Sequence, residues 1–453
     1  MIGRDKRVIL EKWLLEPGNN FCTIPYTHMA IESNGDIRPC CMGKQLTDEN
    51  GQRLNINNKT INEALNHPIR QKFIDSFDKN QQHPACQACW GDNTRFLNRV
   101  KFSLQPQVID ITEQAMMGQR PERKLQWLEI KPGNRCNLKC RICGVHNSSS
   151  WTKDAYHLNN WFATAGHDFD RDDYSRNFKK SEELEYTKQC EWIDQENFWT
   201  DINGFEEIRL IHFMGGEPFM VTEHFQLLQA LLDRGIDTKN ITIRYNTNGT
   251  YFPNNDQLDI LNKFGKKQVH LSIDDVGKRF EYQRKLAIWD QVKQNIEKFV
   301  SMRNQSWSIQ VDPTVSIFNV WYLKEIETEF LKLDLTLSQH NNHFVTQHRH
   351  DARVLPEKLL NATIKRCEQG NTSFLNNVVE FLKTPMPKRY NKDTELHDFF
   401  DATAFLDHAR NENFQEVFPE WYDRIKPYLT KTINSDKYQQ YYERLKQDEQ
   451  KNI

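Results

Sequence analysis

The chain lacks an excess of charge of either sign, since 60 Lys plus Arg stand against 62 Asp plus Glu in 453 residues. No whole-molecule field draws it to phosphate backbones or acidic membranes, so nucleic acid is not indicated as a partner. Long apolar runs are missing too. No window reaches the ~20 apolar residues of a membrane span, and residues 1–13 carry charges throughout with no signal-peptide core. A cytoplasmic location with no membrane partner is the expectation. Internal repeats are absent, and the ten cysteines do not follow the regular spacings of a small secreted disulfide scaffold. Seven of them fall instead in tight local groups, which reads as metal ligation.

Aromatic residues are plentiful, with 27 Phe, 14 Tyr and 11 Trp, so a folded, globular chain is expected over most of the length. Residues 21–31 and 37–40 read as a hairpin about the turn Ser33-Asn34-Gly35-Asp36. Residues 60–77 carry Ile61, Ala64, Leu65, Ile69, Phe73 and Phe77 at helical intervals, and Cys86-Gln-Ala-Cys89 follows a polar turn. After a connector ending near Pro121, apolar runs at 125–130, 208–214, 241–245, 269–273, 309–315 and 336–339 give six strand candidates. Helical patterns such as 225–232 and 289–302 lie between most of them, the text of a parallel sheet with crossover helices. The fold class expected is α/β: a partial (β/α)6 barrel over 122–350, with an N-terminal module at 1–110 and a helical C-terminal extension at 351–453. Between the first two strands an insertion at about 145–205 carries Trp151, Trp161, Phe162, Tyr174, Trp192 and Trp199, and an aromatic lid suited to stacking against bases is one reading of it. Tyr438, Tyr441, Tyr442 and Leu445 mark one face of an expected last amphipathic helix.

Directly after the first strand candidate comes Pro132-Gly-Asn-Arg-Cys136-Asn-Leu-Lys-Cys140-Arg-Ile-Cys143, a CxxxCxxC loop. Thiolates are the usual ligands of iron-sulfur clusters, and three of them leave one iron of a cubane open to a small chelating molecule. Zinc favours four ligands and paired CxxC spacings, and a bacterial ferredoxin run is CxxCxxC with a further Cys-Pro. Neither spacing fits. The loop resembles the signature of the radical S-adenosylmethionine superfamily. That resemblance implies a 4Fe-4S cluster on Cys136, Cys140 and Cys143, S-adenosylmethionine on the fourth iron, and a one-electron donor such as flavodoxin or ferredoxin. Where the family usually has an aromatic residue near the adenine, this chain has Ile142.

Gly215-Gly216-Glu217-Pro218 ends the second strand candidate. Glycines let backbone carbonyls approach a ligand, Glu217 offers a carboxylate to an ammonium group, and Pro218 stiffens the turn. In the family this tetrapeptide contacts the methionine amino group. Other strand ends carry Asn246-Thr-Asn248-Gly249, Ser272-Ile-Asp274-Asp275 and Thr314-Val-Ser316-Ile-Phe-Asn319, where barrel active sites gather polar groups. By resemblance Ser272 contacts the ribose or carboxylate, Arg284 on the next helix contacts the methionine carboxylate, and Asn319 lies near the nucleoside. Asn248 and Asp274 are further cofactor candidates, and Val315 is the candidate for the adenine floor. Read without the family, Asn248-Gly249 is a tight turn, Asp274 and Asp275 are a helix cap, and Arg284 is a solvated side chain.

Upstream, Cys22, Gly35 and Cys40 precede the pair Cys86 and Cys89. The hairpin brings the first two cysteines together and the helix returns the pair, which makes a four-thiolate cage. The pattern resembles the twitch form of the auxiliary-cluster (SPASM-like) module of peptide-modifying radical enzymes, although such a module usually follows the barrel. A second 4Fe-4S cluster is expected there, with zinc as the rival occupant. Cys41 is a substitute ligand or a packed thiol, and Cys190 and Cys367 read as core cysteines. Taken together, the resemblance implies reductive cleavage of S-adenosylmethionine and hydrogen abstraction from a substrate, a peptide or protein by analogy with module relatives. A nucleotide, sugar or other small metabolite is the competing substrate, and a non-catalytic electron carrier or metal-stapled scaffold is the competing class. No catalytic acid or base can be named from the text.

Overall fold

The computed structural model describes residues 4–90, 93–165, 180–195, 198–337, 343–345, 348–370, 372–386 and 391–428. Tyr174, Gln339, Tyr438, Tyr441, Tyr442 and Leu445 lie outside the described residues, as do the side chains of Trp161 and Phe162. Eleven strands are found among the described residues: β1 His28–Ile31, β2 Ile37–Arg38, β3 Trp127–Ile130, β4 Lys139–Cys140, β5 Leu210–Phe213, β6 Thr242–Thr247, β7 Lys266–Leu271, β8 Arg284–Lys285, β9 Trp307–Val311, β10 Thr314–Val315 and β11 His343–Phe344. Seven form one sheet in the order β2-β1-β3-β5-β6-β7-β9. The pairings β1 with β3, β3 with β5 and β5 with β6 are parallel, and β1 with β2 is antiparallel. Crossover helices such as His224–Asp233 and Trp289–Ser301 follow β5 and β8. The chain is thus α/β with a mostly parallel central sheet and a helical C-terminal part.

The chain divides into two compact units. The first comprises Met1–Asn134, Thr187–Tyr245 and Pro253–Gln268. Its strands show why the sheet holds. Register places Met29, Leu128, Ile211 and Ile243 in one cross-strand row, and Ile31, Ile130, Phe213 and Tyr245 in the next row on the same face. All eight are buried, so this face is a continuous apolar surface stabilised at roughly 25 cal/mol per Å² removed from water. The row between them, on the opposite face, is Ala30, Glu129, His212 and Arg244. Glu129 is buried between His28 at 3.1 Å and His212 at 3.7 Å. Burial works to raise its pKa, but the two flanking imidazoles outweigh it and hold the carboxyl well below the usual range.

Local chemistry shifted several boundaries. Pro25 starts the helical turn Ile24–Thr27, so the hairpin's first strand spans only His28–Ile31 rather than 21–31. The helix expected over 60–77 is two helices, Ile61–Leu65 and Pro68–Asp78, because a proline is tolerated in a first turn and not in a helix interior. The stretch before Pro121, read as a connector, holds helices Asn93–Ser103 and Ile109–Met116. Among the described aromatic residues of the insertion, Trp151, Trp192 and Trp199 are buried. Trp192, Phe198 and Trp199 pack edge to face at 4.7–4.8 Å within the first unit. The Trp192 and Trp199 indoles each donate to a backbone carbonyl at 2.8 Å, those of Ser33 and Ile193. A Cβ on Gly35, whose φ is +83°, would come within 3.2 Å of Trp192, so only glycine fits the hairpin turn.

The second unit comprises Arg135–Tyr186, Asn246–Phe252 and Val269–Ile453. Asp312-Pro313 breaks the single strand expected over 309–315 into β9 and β10. Leu337 makes one parallel bridge to Val311, which is the described remnant of the last strand candidate. The C-terminal helices Glu357–Glu368, Ser373–Lys383 and Lys392–Arg410 follow. Val145, Trp151, Ala155 and Leu158 share one apolar cluster with Ala402, Phe405 and Leu406 of the last of these, and Cys143 packs against it. No described helix is long and apolar enough to cross a membrane.

Candidate cluster and cofactor sites

The CxxxCxxC loop lies in the second unit. Cys136, Cys140 and Cys143 are all half-buried, and the other two thiols add to the burial that pushes the Cys143 thiol up to about 12. Burial raises Cys140 as well. Thiols so raised are protonated at neutral pH, and a metal that binds them displaces those protons. The loop is pinned by its backbone: Trp151 Nε1 donates to Cys140 O at 2.9 Å and Ser150 Oγ to Cys136 O at 2.8 Å.

Two expected cofactor residues meet this loop. Asn248 Nδ2 stands 3.8 Å from Cys136 Sγ and donates to Asn137 Oδ1 at 3.1 Å, while its own Oδ1 accepts from Thr250. Arg284 is neither solvated nor on a helix. It sits in β8, paired antiparallel with β4, which places Arg284 opposite Cys140. Its Nε and Nη2 donate to Asp274 at 2.9 and 2.8 Å, and its Nη1 lies 3.8 Å from Cys140 Sγ. Asp274 also accepts from Thr314 N at 2.8 Å, so it orients the guanidinium instead of capping a helix. Asp275 does the work at the start of helix Gly277–Gln283, where it accepts from Val276 N and Arg279.

Asn319 is fully buried, donates to Asp274 O and Thr314 O, and accepts from Ser316 N at 2.9 Å. Its amide ties two strand-end loops together, which is a bracing position. Ser272 follows β7 and donates its backbone N–H to Thr247 O. Val315 is buried in β10, and Ile142 is half-buried beside Cys143.

Arg141 and Arg410 were not singled out by their sequence surroundings. The side chain of Arg141 is 1% exposed, faces the Tyr282 ring at 3.7 Å, and pairs with Asp407 and with Glu412 at 2.7 Å. Arg410 donates to Asp154 at 2.9 Å and to Lys139 O at 2.9 Å, and its guanidinium lies over the Trp151 ring. The cysteine loop is thereby gripped on either side of Cys140, at Lys139 and Arg141, by residues more than 250 positions away, a pairing for which local sequence holds no signal.

In the first unit, residues 215–218 turn sharply after β5. Gly215 and Gly216 have φ of +77° and +55°, and Glu217, fully buried, accepts from Phe219 N at 3.2 Å. Beneath this turn His224 is enclosed: its Nδ1 donates to Val221 O and its Nε2 accepts from Tyr245 at 2.8 Å. Burial lowers its pKa to about 3. The unfolded chain takes up this proton below about pH 6.5 and the fold does not, so stability falls as pH drops from 6.5 toward 3. By pH 5 the expected loss is about 2 kcal/mol. Urea titrations at pH 7 and 5 check it: His224→Phe should lower stability at pH 7 but flatten that difference.

Also in the first unit, Cys22, Cys40, Cys86 and Cys89 line one cavity of about 210 Å³, with Cys41 on its wall. The hairpin supplies Cys40, and the short helical turns Pro84–Cys86 and Gln87–Trp90 return the pair. Burial, helped by neighbouring thiols, pushes Cys22 up to about 11 and Cys40 to about 12. Among the described residues no group of three or more His, Cys, Asp or Glu side chains converges as tightly as a single metal ion requires. Thiolates that bind separate corners of a cube stand further apart than the ligands of one ion. The cavity wall adds Trp90, Trp127 and Arg99, whose Nε1, Nε1 and Nε atoms are buried without a described partner. Cys190 and Cys367 are buried away from this cavity, as core cysteines.

Residues 130–309 match the family model of the Radical SAM superfamily, and residues 22–90 match that of the SPASM iron-sulfur cluster-binding domain. The chain thus carries a radical S-adenosylmethionine domain. Its particular form carries a SPASM-type domain ahead of the radical domain, so the cofactors implied are a 4Fe-4S cluster with S-adenosylmethionine and an auxiliary iron-sulfur cluster. No curated protein matches the chain. Among solved structures it is similar to native anSMEcpe with bound AdoMet, at 22% identity over 56% of this chain and 60% of that one, with a TM-score of 0.33. It is also similar to Streptococcus suis SuiB bound to precursor peptide SuiA, at 14% identity over 79% and 66%, with a TM-score of 0.28. The chain spans 60% of the length of the first of these.

Proposed function

We propose that the chain is an enzyme that cleaves S-adenosylmethionine reductively and modifies a peptide or protein by hydrogen abstraction. In this reading Cys136, Cys140 and Cys143 hold the catalytic cluster, and Cys22, Cys40, Cys86 and Cys89 hold the auxiliary one, within a module at 1–110. When bound and reduced by one electron, S-adenosylmethionine supplies methionine and a 5'-deoxyadenosyl radical. Arg284, oriented by Asp274 and facing Cys140, offers a fixed cation to a carboxylate at the cluster, and Asn248 offers an amide beside Cys136. Ser272 and the turn Gly215, Gly216, Glu217 and Pro218 keep the cofactor contacts that the family resemblance gives them. A flavodoxin- or ferredoxin-type protein delivers the electron.

The observation that carries the reading is the convergence of three thiols with Arg284 and Asn248 at one loop. Support for a peptide substrate comes from the SPASM match, because modules of that kind recur in peptide maturases. The test is anaerobic reduction of the reconstituted protein with S-adenosylmethionine and the short peptides encoded beside its gene. Deoxyadenosine together with a mass change in one peptide is the expected result. Deoxyadenosine with every peptide unchanged would remove the substrate assignment and leave the radical chemistry.

A further inference from the structure

The turn that leaves β8 is strained. Leu286 has a φ of +78°, a left-handed conformation that glycine takes freely and that a branched side chain adopts only at a cost. Packing ordinarily offsets such a cost, yet Leu286 and Ile288, two positions on, are each more than half exposed. The backbone is nonetheless fixed. Ala287, between them, is buried and its N–H donates to Arg284 O at 2.9 Å. Trp289 then opens the helix Trp289–Ser301 and packs edge to face with Phe280 at 5.1 Å. The turn therefore holds two apolar side chains out into water at the expense of its own backbone.

This turn stands beside the cysteine loop, in the same unit. Leu286 lies two residues from Arg284, the cross-strand partner of Cys140. Two chain steps and one cross-strand spacing put its Cα within about 13 Å of the Cys140 Cα. The rim is basic. Lys285 stands directly opposite Lys139 in the same strand pair, a like-charge pairing that is unfavourable by itself. Each lysine meets one carboxylate at 3.2 Å, Lys285 with Glu412 and Lys139 with Asp154, but the lysine side chains are 28% and 24% exposed and the carboxylates only 11%. The positive halves of both pairs thus face outward. Residues 278–298 carry six Lys or Arg against three Asp or Glu, in a chain whose net charge is −2.

We propose that the turn at Leu286 and Ile288 is the docking surface for a small acidic protein that carries one electron to the cluster on Cys136, Cys140 and Cys143. The proposal rests on the radical reading above and adds the place at which the electron enters. The reduced carrier is oxidised by one electron, the cluster is reduced by one, and no proton or bond changes hands. Electron-transfer encounters bury little surface, so two apolar side chains within a basic rim supply the grip. The lysines steer an acidic partner and fix its orientation. Because the fixed backbone already holds Leu286 and Ile288 outward, binding pays little to order them.

The test compares deoxyadenosine formation by the reconstituted protein under two kinds of reductant: dithionite, which needs no docking site, and reduced flavodoxin or ferredoxin. Leu286→Asp and Ile288→Asp each place a carboxylate on the turn. Each should raise the carrier's apparent KM by about tenfold and leave turnover with dithionite unchanged. Aspartate tolerates a positive φ, so the first variant adds no backbone strain. Leu286→Gly removes the side chain and relieves the backbone, and should raise the same KM by a smaller factor. Added salt should raise the wild-type KM as well. An unchanged carrier KM in both aspartate variants would overturn the proposal. So would a loss shared by dithionite, which would give the turn to the fold or to the substrate. Wild-type protein that works with dithionite and with neither carrier overturns it too, and a changed oligomeric state in Leu286→Asp would assign the surface to a second copy instead. Absence of deoxyadenosine under every reductant sinks the radical reading itself, and the docking proposal with it.

Discussion

Cys140→Ala should reduce deoxyadenosine formation to the level of a no-enzyme control, while the protein keeps the iron of its auxiliary centre. In the proposed reading three thiolates hold a cube that needs its fourth corner free, so loss of one leaves two and no stable site. Cys140 is also the thiol opposite Arg284, and its loss separates the cluster from that cation. Iron and sulfide analysis with turnover assays checks both halves. Undiminished deoxyadenosine from the variant would contradict the ligand assignment, and total loss of iron would show that the two centres depend on each other.

The second large effect belongs to a residue with no contact to a proposed cofactor. Arg141→Met should cost about 3–5 kcal/mol in urea denaturation, because it strands Asp407 with no counter-charge and leaves Glu412 with Lys285 alone. Tyr282, which donates to Asp407 at 2.6 Å, loses its cation as well. The cluster loop should then release iron to a chelator faster than wild type, with the auxiliary iron unaffected. An exposed pair in the same unit serves as the control: Lys332→Ala removes a contact with Glu329 whose partners are each over 40% exposed, and should cost less than about 1 kcal/mol. Equal costs for the two variants would mean that the Arg141 network is not a brace.

Much of the site was legible because its chemistry is local. A CxxxCxxC loop after an apolar run announces itself by spacing, and the four auxiliary cysteines are separated by a hairpin and helical turns whose punctuation is visible as Asn34-Gly35 and Pro84. The parallel sheet was equally readable, since buried strands carry apolar runs of four to six residues between helical patterns. Where local reading failed, a proline or a distant partner decided the matter. Pro68 divided a helix whose periodicity ran on regardless, and Trp192 and Trp199, which resemble a stacking surface in text, are core residues with their N–H groups bound to carbonyls.

By itself, the order of residues determined which atoms can bind metal and that a strand leads into them, because ligand type and short spacing are properties of a few adjacent positions. Only the tertiary structure decided that Arg284 faces Cys140 from an antiparallel strand pair, that Asp274 aims it, and that the helix Lys392–Arg410 closes over the loop through Arg410 while Asp407 meets Arg141. Ion pairs and stacked rings act across a few ångströms of space whatever the number of residues between them, and that distance exists only once the chain has folded.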